Sequence, residues 1–222
     1  MDIHNKETFT QFKELNPLEF SERRMQLAEN DFYRPRHGLV SDEYVEYVLW
    51  AEGTPARHEQ FGEFLLPTIK ANGWRSLLEV GCGEAALLSR YLYDRLCNDV
   101  SITAVDQSEI TCRHPKIRLM QKTFTGAEDL TGYDAVIALD PCEAAELIVK
   151  ACTEQNVPYC VVLCGVPHRR LTGELDEDAY GWYAYLISTY PDCGFRIWKN
   201  GRFSSGCIYS KQDFDKKDVS EC

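Results

Sequence analysis

The sequence lacks two features that would place a protein at a membrane or on nucleic acid. It has no apolar run approaching the roughly 20 residues that a membrane helix requires, and its first six residues, Met-Asp-Ile-His-Asn-Lys, are mostly polar. Basic residues are few, 24 Lys and Arg against 35 Asp and Glu, which gives a net charge of -11. Because affinity for phosphate backbones depends on Lys and Arg, this balance does not favour RNA as a partner. We expect a cytoplasmic protein with no membrane segment.

The chain also shows no internal repeat and is too short for a separate substrate domain. With 222 residues and 44% hydrophobic content it can bury one core. We predict an N-terminal helical extension over residues 1–72, a cofactor-binding α/β domain over residues 73–212 and a charged, flexible tail over residues 213–222. The ten cysteines include several within apolar runs. These are expected to be small core residues in a reducing compartment rather than disulfides.

A glycine-containing turn is the most informative feature that is present. The apolar run from Ser76 ends in Glu79-Val-Gly81-Cys-Gly83 and passes directly into an amphipathic segment. This pattern predicts a strand, a tight turn that lets the backbone approach a ligand, and the start of a helix. About twenty residues later a second apolar run ends in Asp106, where a ribose hydroxyl pair is usually held. Together they predict a nucleoside-containing cofactor on a doubly wound α/β sheet.

The two motifs resemble those of the class I S-adenosylmethionine-dependent methyltransferases, whose first motif is an acidic residue followed by Gly-x-Gly. The resemblance covers most of the chain from Ser76 onward. It implies that Glu79, Gly81 and Gly83 hold the methionine end of S-adenosylmethionine and that Asp106 holds the ribose. A nicotinamide dinucleotide fold is the alternative, because residues 81–86 also satisfy a loose G-x-G-x-x-A pattern.

The order of elements separates these alternatives. Asn200-Gly201 lies between two β-rich runs, which predicts a hairpin over residues 195–209. Class I methyltransferases add such an antiparallel hairpin to a mostly parallel, seven-stranded, doubly wound sheet, whereas typical dinucleotide folds do not. The remaining pattern predicts strands at 76–81, 101–106, 117–122, 133–139 and 158–165, and helices at 84–95, 143–155 and 174–189.

Reacting groups are expected where the parallel strands end. Asp140 and Glu143 follow the fourth predicted strand, and His168 follows the fifth. Asp140 either contacts the cofactor or caps the next helix, and Glu143 or His168 would deprotonate a hydroxyl acceptor. Gln107 and Phe124 are candidates to hold the adenine. Five basic residues are expected either to bind a carboxylate or phosphate of a ligand or to be plain surface charges: Arg34, Arg36, His37, Arg169 and Arg170.

Residues 119–135 resemble the corresponding stretch of the small-RNA 3'-terminal 2'-O-methyltransferases, which bind a divalent metal through Glu-x-x-Glu-His. The two acidic positions of that motif fall on Asp140 and Glu143, but the histidine position falls on Ala144. We therefore predict no metal. The predicted function is methyl transfer from S-adenosylmethionine to a small molecule or a protein side chain. A diverged small-RNA 2'-O-methyltransferase and a catalytically silent scaffold are the alternatives.

Overall fold

The structure is a computed structural model that describes residues 54–97, 99–163, 179–200 and 203–214. Its central feature is a seven-stranded sheet with the order β3-β2-β1-β4-β5-β7-β6. The strands are β1 (Ser76–Val80), β2 (Ser101–Asp106), β3 (Ile117–Gln121), β4 (Ala135–Leu139), β5 (Tyr159–Val162), β6 (Cys193–Asn200) and β7 (Phe203–Ser210). The helices are α1 (Arg57–Asn72), α2 (Leu87–Arg95), α3 (Ala145–Gln155), α4 (Ala179–Thr189) and α5 (Lys211–Phe214), with a 3-10 turn at Cys142–Ala144.

The pairing of the strands confirms the predicted fold class. Strands β3, β2, β1, β4 and β5 run parallel to one another. Strand β7 pairs antiparallel with both β5 and β6, and Asn200 lies opposite Phe203 in the terminal hairpin. The chain order reverses between β1 and β4, so the carboxyl ends of these two strands flank the crevice where open α/β sheets bind ligands.

Helices cover the sheet on both faces, because the side chains of the buried strands alternate between two apolar clusters. On β4, Ala135 and Ile137 belong to the cluster under α1 and α2, whereas Val136 and Ala138 belong to the cluster under α3 and α4. Trp182 of α4 is fully buried in the second cluster. No helix in the described ranges is both long and apolar enough to span a membrane.

Helix α1 lies in the segment predicted to be an N-terminal extension, and its apolar side is part of the core. Phe61, Leu65 and Ile69 are fully buried or nearly so, in the cluster that also contains Leu77 of β1. At the other end, α5 includes the first residues of the segment predicted to be a flexible tail, and Phe214 packs against Trp74 and Tyr209. The division into residues 1–72, 73–212 and 213–222 stays a prediction.

Several predicted boundaries were wrong by two to three residues. Helix α2 begins at Leu87 rather than 84, because Ala86 has a left-handed backbone with φ 47° and keeps residues 84–86 in the turn. The predicted helix 143–155 starts as a 3-10 turn and becomes α-helical at Ala145. The first part of the predicted helix 174–189 lies outside the described residues.

Candidate active site

A cavity of about 870 Å³ opens at the carboxyl ends of β1, β2 and β4. Its volume falls within the range of small-molecule and cofactor sites. The glycine turn after β1, the residues after β2 and β3, the 3-10 turn after β4 and the first turn of α1 all contribute to its wall. The cavity thus brings together five segments that are distant in sequence, at the crevice where the strand order reverses.

The glycine turn is fixed by the backbone of β2. The amides of Gly81 and Cys82 both donate to the carbonyl of Val105, at 2.8 and 3.2 Å. Gly81 and Gly83 have left-handed backbones, with φ of 75° and 66°. A Cβ at Gly81 would lie 3.0 Å from the Cα of Pro141, whereas one at Gly83 would meet nothing within 4 Å. Gly81 is therefore required both by its φ and by the close approach of the segment after β4.

We expect Gly81→Ala to destabilise the protein by about 2 kcal/mol, because it combines left-handed backbone strain with a tight contact to the backbone of Pro141. Gly83→Ala is the matched control, since it has a similar φ but open space around the new methyl group. Thermal unfolding of the two variants should show the larger decrease in Tm for Gly81→Ala. Equal decreases would show that the contact with Pro141 imposes no requirement.

Asp106 lies at the end of β2 and lines the cavity. Its Oδ2 accepts a hydrogen bond from the amide of Gly83 at 2.8 Å, and its Oδ1 accepts one from the amide of Ser108 at 2.8 Å. Each carboxylate oxygen has a second acceptor position, so the group can also receive hydroxyl donors from a ligand. Asp106 thus ties the glycine turn to the loop after β2.

Glu79 lines the same cavity, but its side chain is 2% exposed. The alternation of β1 places it on the same face as Leu77, which is covered by α2. Its Oε2 accepts hydrogen bonds from the amide of Ser89, at 3.0 Å, and from the Ser89 hydroxyl. Ser89 is the third residue of α2, and the N-cap residue Ala86 provides no side-chain cap. Glu79 therefore satisfies an amide that the start of the helix leaves without an intrahelical partner.

Burial raises the pKa of the Glu79 carboxyl to about 7, against the lowering effect of the two Ser89 hydrogen bonds, and the nearby Asp106 raises it further. The carboxyl therefore titrates much closer to neutral pH than an exposed glutamate does. Burial likewise raises the pKa of the Cys82 thiol well above its usual range, so Cys82 stays a neutral thiol in the turn.

A buried ion pair joins the start of α1 to the end of β4. Arg57 donates from Nη2 to Oδ1 of Asp140 at 2.8 Å, and its Nη1 contacts Oδ2 of the same carboxylate. The two side chains are 4% and 9% exposed, and both line the cavity. Asp140 has a left-handed backbone with φ 54° and follows the end of β4. The 3-10 turn after it has Pro141 at its N-cap position, and both roles predicted for Asp140, a cofactor contact and a helix cap, stay predictions.

His58, beside Arg57 in the first turn of α1, is a cavity residue that the sequence patterns do not indicate. Its ring makes an edge contact with Tyr91, with 6.3 Å between ring centroids. Burial, and then the positive charge of Arg90, lowers its pKa to about 4. The imidazole is therefore neutral at physiological pH, and it offers the cavity a hydrogen-bond donor and an acceptor.

The structure places the remaining predicted residues as follows. Glu143 lies on the cavity wall in the 3-10 turn, and Gln107 and Phe124 lie on the wall formed by the loops after β2 and β3. His168 lies outside the described residues. So do the five basic candidate residues, Arg34, Arg36, His37, Arg169 and Arg170.

Two positions of the metal motif named above carry residues that do not favour a divalent cation. Asp140, at one of the acidic positions of the metal motif, is bound to a guanidinium, and Ala144 stands at the histidine position. No group of three His, Cys, Asp or Glu side chains with the arrangement of a metal site occurs in the described ranges, which do not include His168. A carboxylate neutralised by Arg57 is a poor ligand for a divalent cation.

Comparisons with known proteins give likenesses of fold. No family model and no curated protein matches the chain. The methyltransferase domain of bacterial CtHen1 is 17% identical, with 68% of this chain and 98% of that chain covered and a TM-score of 0.45. Human N-acetylserotonin methyltransferase, solved with its S-adenosylmethionine, is 12% identical over 91% of this chain and 66% of that chain, with a TM-score of 0.45. The plantazolicin methyltransferase BpumL is 13% identical over 89% and 98%, with a TM-score of 0.42. At these values the likeness does not indicate a ligand or a substrate.

Proposed function

We propose that the protein is an S-adenosylmethionine-dependent methyltransferase. The observation that carries the proposal is the glycine turn of the cavity. The carboxylate of Asp106 accepts a hydrogen bond from the amide of Gly83 and lines the same cavity as Gly81. A carboxylate held at the end of β2 beside a left-handed glycine turn suits a ribose diol and the group attached to it. The terminal antiparallel hairpin supports methyl transfer over a dinucleotide function, in line with the sequence resemblance.

The charges of the cavity fit the two ends of this cofactor. Asp106 would hold the ribose hydroxyls, with Gln107 and Phe124 beside the adenine. Arg57 is a buried cation on the cavity wall, which can receive the carboxylate of an amino acid group. Glu79 would contribute negative charge beneath the turn. The cavity therefore has acidic and basic groups for each charged or polar part of the cofactor.

When bound, S-adenosylmethionine supplies a methyl group made electrophilic by a sulfonium. The chain's own task is to align the acceptor with that methyl group and to exclude water, since an in-line displacement needs orientation more than covalent help. Glu143, on the wall formed by the 3-10 turn, is our candidate to take the proton of a hydroxyl acceptor. His168 stays a prediction for the same role.

We propose a small molecule or a protein side chain as the acceptor. The net charge of -11 disfavours long nucleic acid. The small-RNA alternative is weakened further by the Arg57 pairing of Asp140, which removes one of the metal ligands that this chemistry would use.

Isothermal calorimetry with S-adenosylmethionine, S-adenosylhomocysteine and NADH tests the cofactor assignment. We expect both adenosyl ligands to bind and NADH not to bind. Asp106→Ala should weaken adenosyl binding by about 10- to 100-fold, because hydrogen bonds to a charged group contribute about 1.5–3 kcal/mol each. Asp94→Ala, which removes an exposed carboxylate of α2, is the matched control and should bind as the unmodified protein does.

Each failure of this experiment has a distinct meaning. Binding of NADH alone would replace the methyltransferase proposal with a dinucleotide function. A properly folded protein that binds none of the three ligands would favour the scaffold alternative. If the adenosyl ligands bind, a screen of small-molecule and peptide acceptors with and without Mn²⁺ tests the acceptor class and the absence of a metal.

A further inference from the structure

Glu79 differs from Asp106 and Asp140 in how its charge is compensated. Asp140 is paired with Arg57, and Asp106 accepts two backbone amides. Glu79 is more deeply buried, yet the structure gives it only the amide and hydroxyl of Ser89, and in the described ranges no basic side chain forms an ion pair with it. A buried carboxylate without a cationic partner is costly, so the ligand of the cavity is the natural source of the missing positive charge.

We propose that binding of S-adenosylmethionine releases a proton from Glu79 to the solvent, and that binding of its neutral product S-adenosylhomocysteine releases less. This inference rests on the proposed function. The cofactor carries a sulfonium in addition to its amino acid group, whereas the product is a thioether with no net charge. A cation beside Glu79 favours the carboxylate over the protonated form, and the extra charge of the cofactor favours it more. Proton release thus links cofactor affinity, and the preference for cofactor over product, to pH.

The surroundings of Glu79 place this titration near neutral pH and away from other groups. Burial holds the pKa of the carboxyl at about 7, with Asp106 of β2 adding to the rise. Cys82 in the turn stays protonated because its own pKa is raised. On α1, His58 titrates about three units lower, near 4, and Arg57 is engaged with Asp140 of β4. Glu79 therefore titrates in a pH range that is separate from those of His58 and Cys82.

Calorimetry in two buffers with different ionisation enthalpies, phosphate and imidazole, measures the protons released per ligand bound. The titrations are done at pH 5.5, 6.25 and 7.0, below the usual pKa range of an α-amino group, so that the ligands keep their ammonium charge. We expect S-adenosylmethionine to release close to one proton at pH 5.5 and about half a proton at pH 7.0. Its affinity should rise by about tenfold across this range, as expected for one linked proton. S-adenosylhomocysteine should show a smaller release and a smaller rise.

Two variants make the result specific to Glu79. Glu79→Gln keeps an oxygen for Ser89 but cannot titrate, so it should bind with no proton release and with a pH-independent ratio of the two affinities. Glu109→Gln makes the same substitution at an exposed position on the cavity wall and should leave the release unchanged. Equal release for the two ligands, or an unchanged release in Glu79→Gln, would overturn the inference while leaving the proposed function intact. Absence of adenosyl binding at every pH would instead contradict the proposed function.

Discussion

Replacing Arg57 by Met is expected to lower the free energy of unfolding by about 3 to 5 kcal/mol, the range found when one partner of a buried ion pair is removed. The Asp140 carboxylate, 9% exposed, loses the guanidinium that contacts both of its oxygens. The residue that holds this carboxylate also has a left-handed backbone, so the segment cannot easily turn its charge toward solvent. The loss should appear as a large decrease in Tm and in the midpoint of urea unfolding.

The exposed pair of Arg95 and Glu63 provides the control. Its side chains are 54% and 49% exposed, and pairs of this kind contribute about 1 kcal/mol or less. Arg95→Met should therefore cause only a small change in stability. The double variant Arg57→Met with Asp140→Asn should be more stable than Arg57→Met alone, because it no longer buries an unpaired charge. If Arg57→Met and Arg95→Met lower the free energy of unfolding by the same amount, the Arg57–Asp140 ion pair does not have the importance for stability that its burial implies.

This pair also marks the limit of what the sequence could reveal. Arg57 and Asp140 are 83 residues apart, and no sequence motif links them. The basic residues that the sequence indicated as candidates to bind an anion were instead Arg34, Arg36, His37, Arg169 and Arg170. What could be predicted was local. The glycine turn, the carboxylate ending β2 and the terminal hairpin each follow from a few consecutive residues, and the structure has the predicted sheet with the turn and Asp106 on one cavity.

The start of α2 and the position of Glu79 also differ from what the sequence predicted, and part of the physical cause could be read from the sequence. The run Glu84-Ala85-Ala86 has high helix propensity, but Ala86 adopts a left-handed backbone, so tertiary contacts override propensity at the start of α2. Glu79 alternates with Leu77 along β1, and this period of two already implied a position beneath a helix rather than an open position in the ligand site. The partner, Ser89, could not be identified, because the register of α2 on the sheet is set by packing.

The dependence of stability on pH should change in opposite directions when Glu79 and His58 are replaced. The pKa of Glu79 is raised in the folded protein from 4.5 to about 7, so the folded state binds more protons than the unfolded state between these values. The stabilisation that Glu79 contributes to the folded state is therefore fully present below pH 4.5 and is lost as the pH rises to 7. The pKa of His58 is lowered from 6.5 to about 4. Its contribution is fully present above pH 6.5 and is lost as the pH falls to 4.

Between pH 4.5 and 6.5 the two effects oppose each other, and each amounts to at most about 3 kcal/mol, because one pKa unit corresponds to about 1.4 kcal/mol. Glu79→Gln removes the first effect, so relative to the unmodified protein this variant should lose stability on acidification. His58→Gln removes the second, so relative to the unmodified protein it should gain stability on acidification. Urea unfolding of the three proteins at pH 4.5, 5.5, 6.5 and 7.5 measures both differences and cancels the carboxylates elsewhere in the chain.

The double variant completes the argument, because the differences should add unless the two groups interact. Glu79 and His58 line one cavity from different elements, β1 and α1, and the pKa shift of each arises from burial and from other neighbours. We therefore expect additivity within about 0.5 kcal/mol. Parallel profiles for all the variants would show that neither group is buried in the ionisation state assigned to it, and the proton linkage proposed for Glu79 would lose its basis.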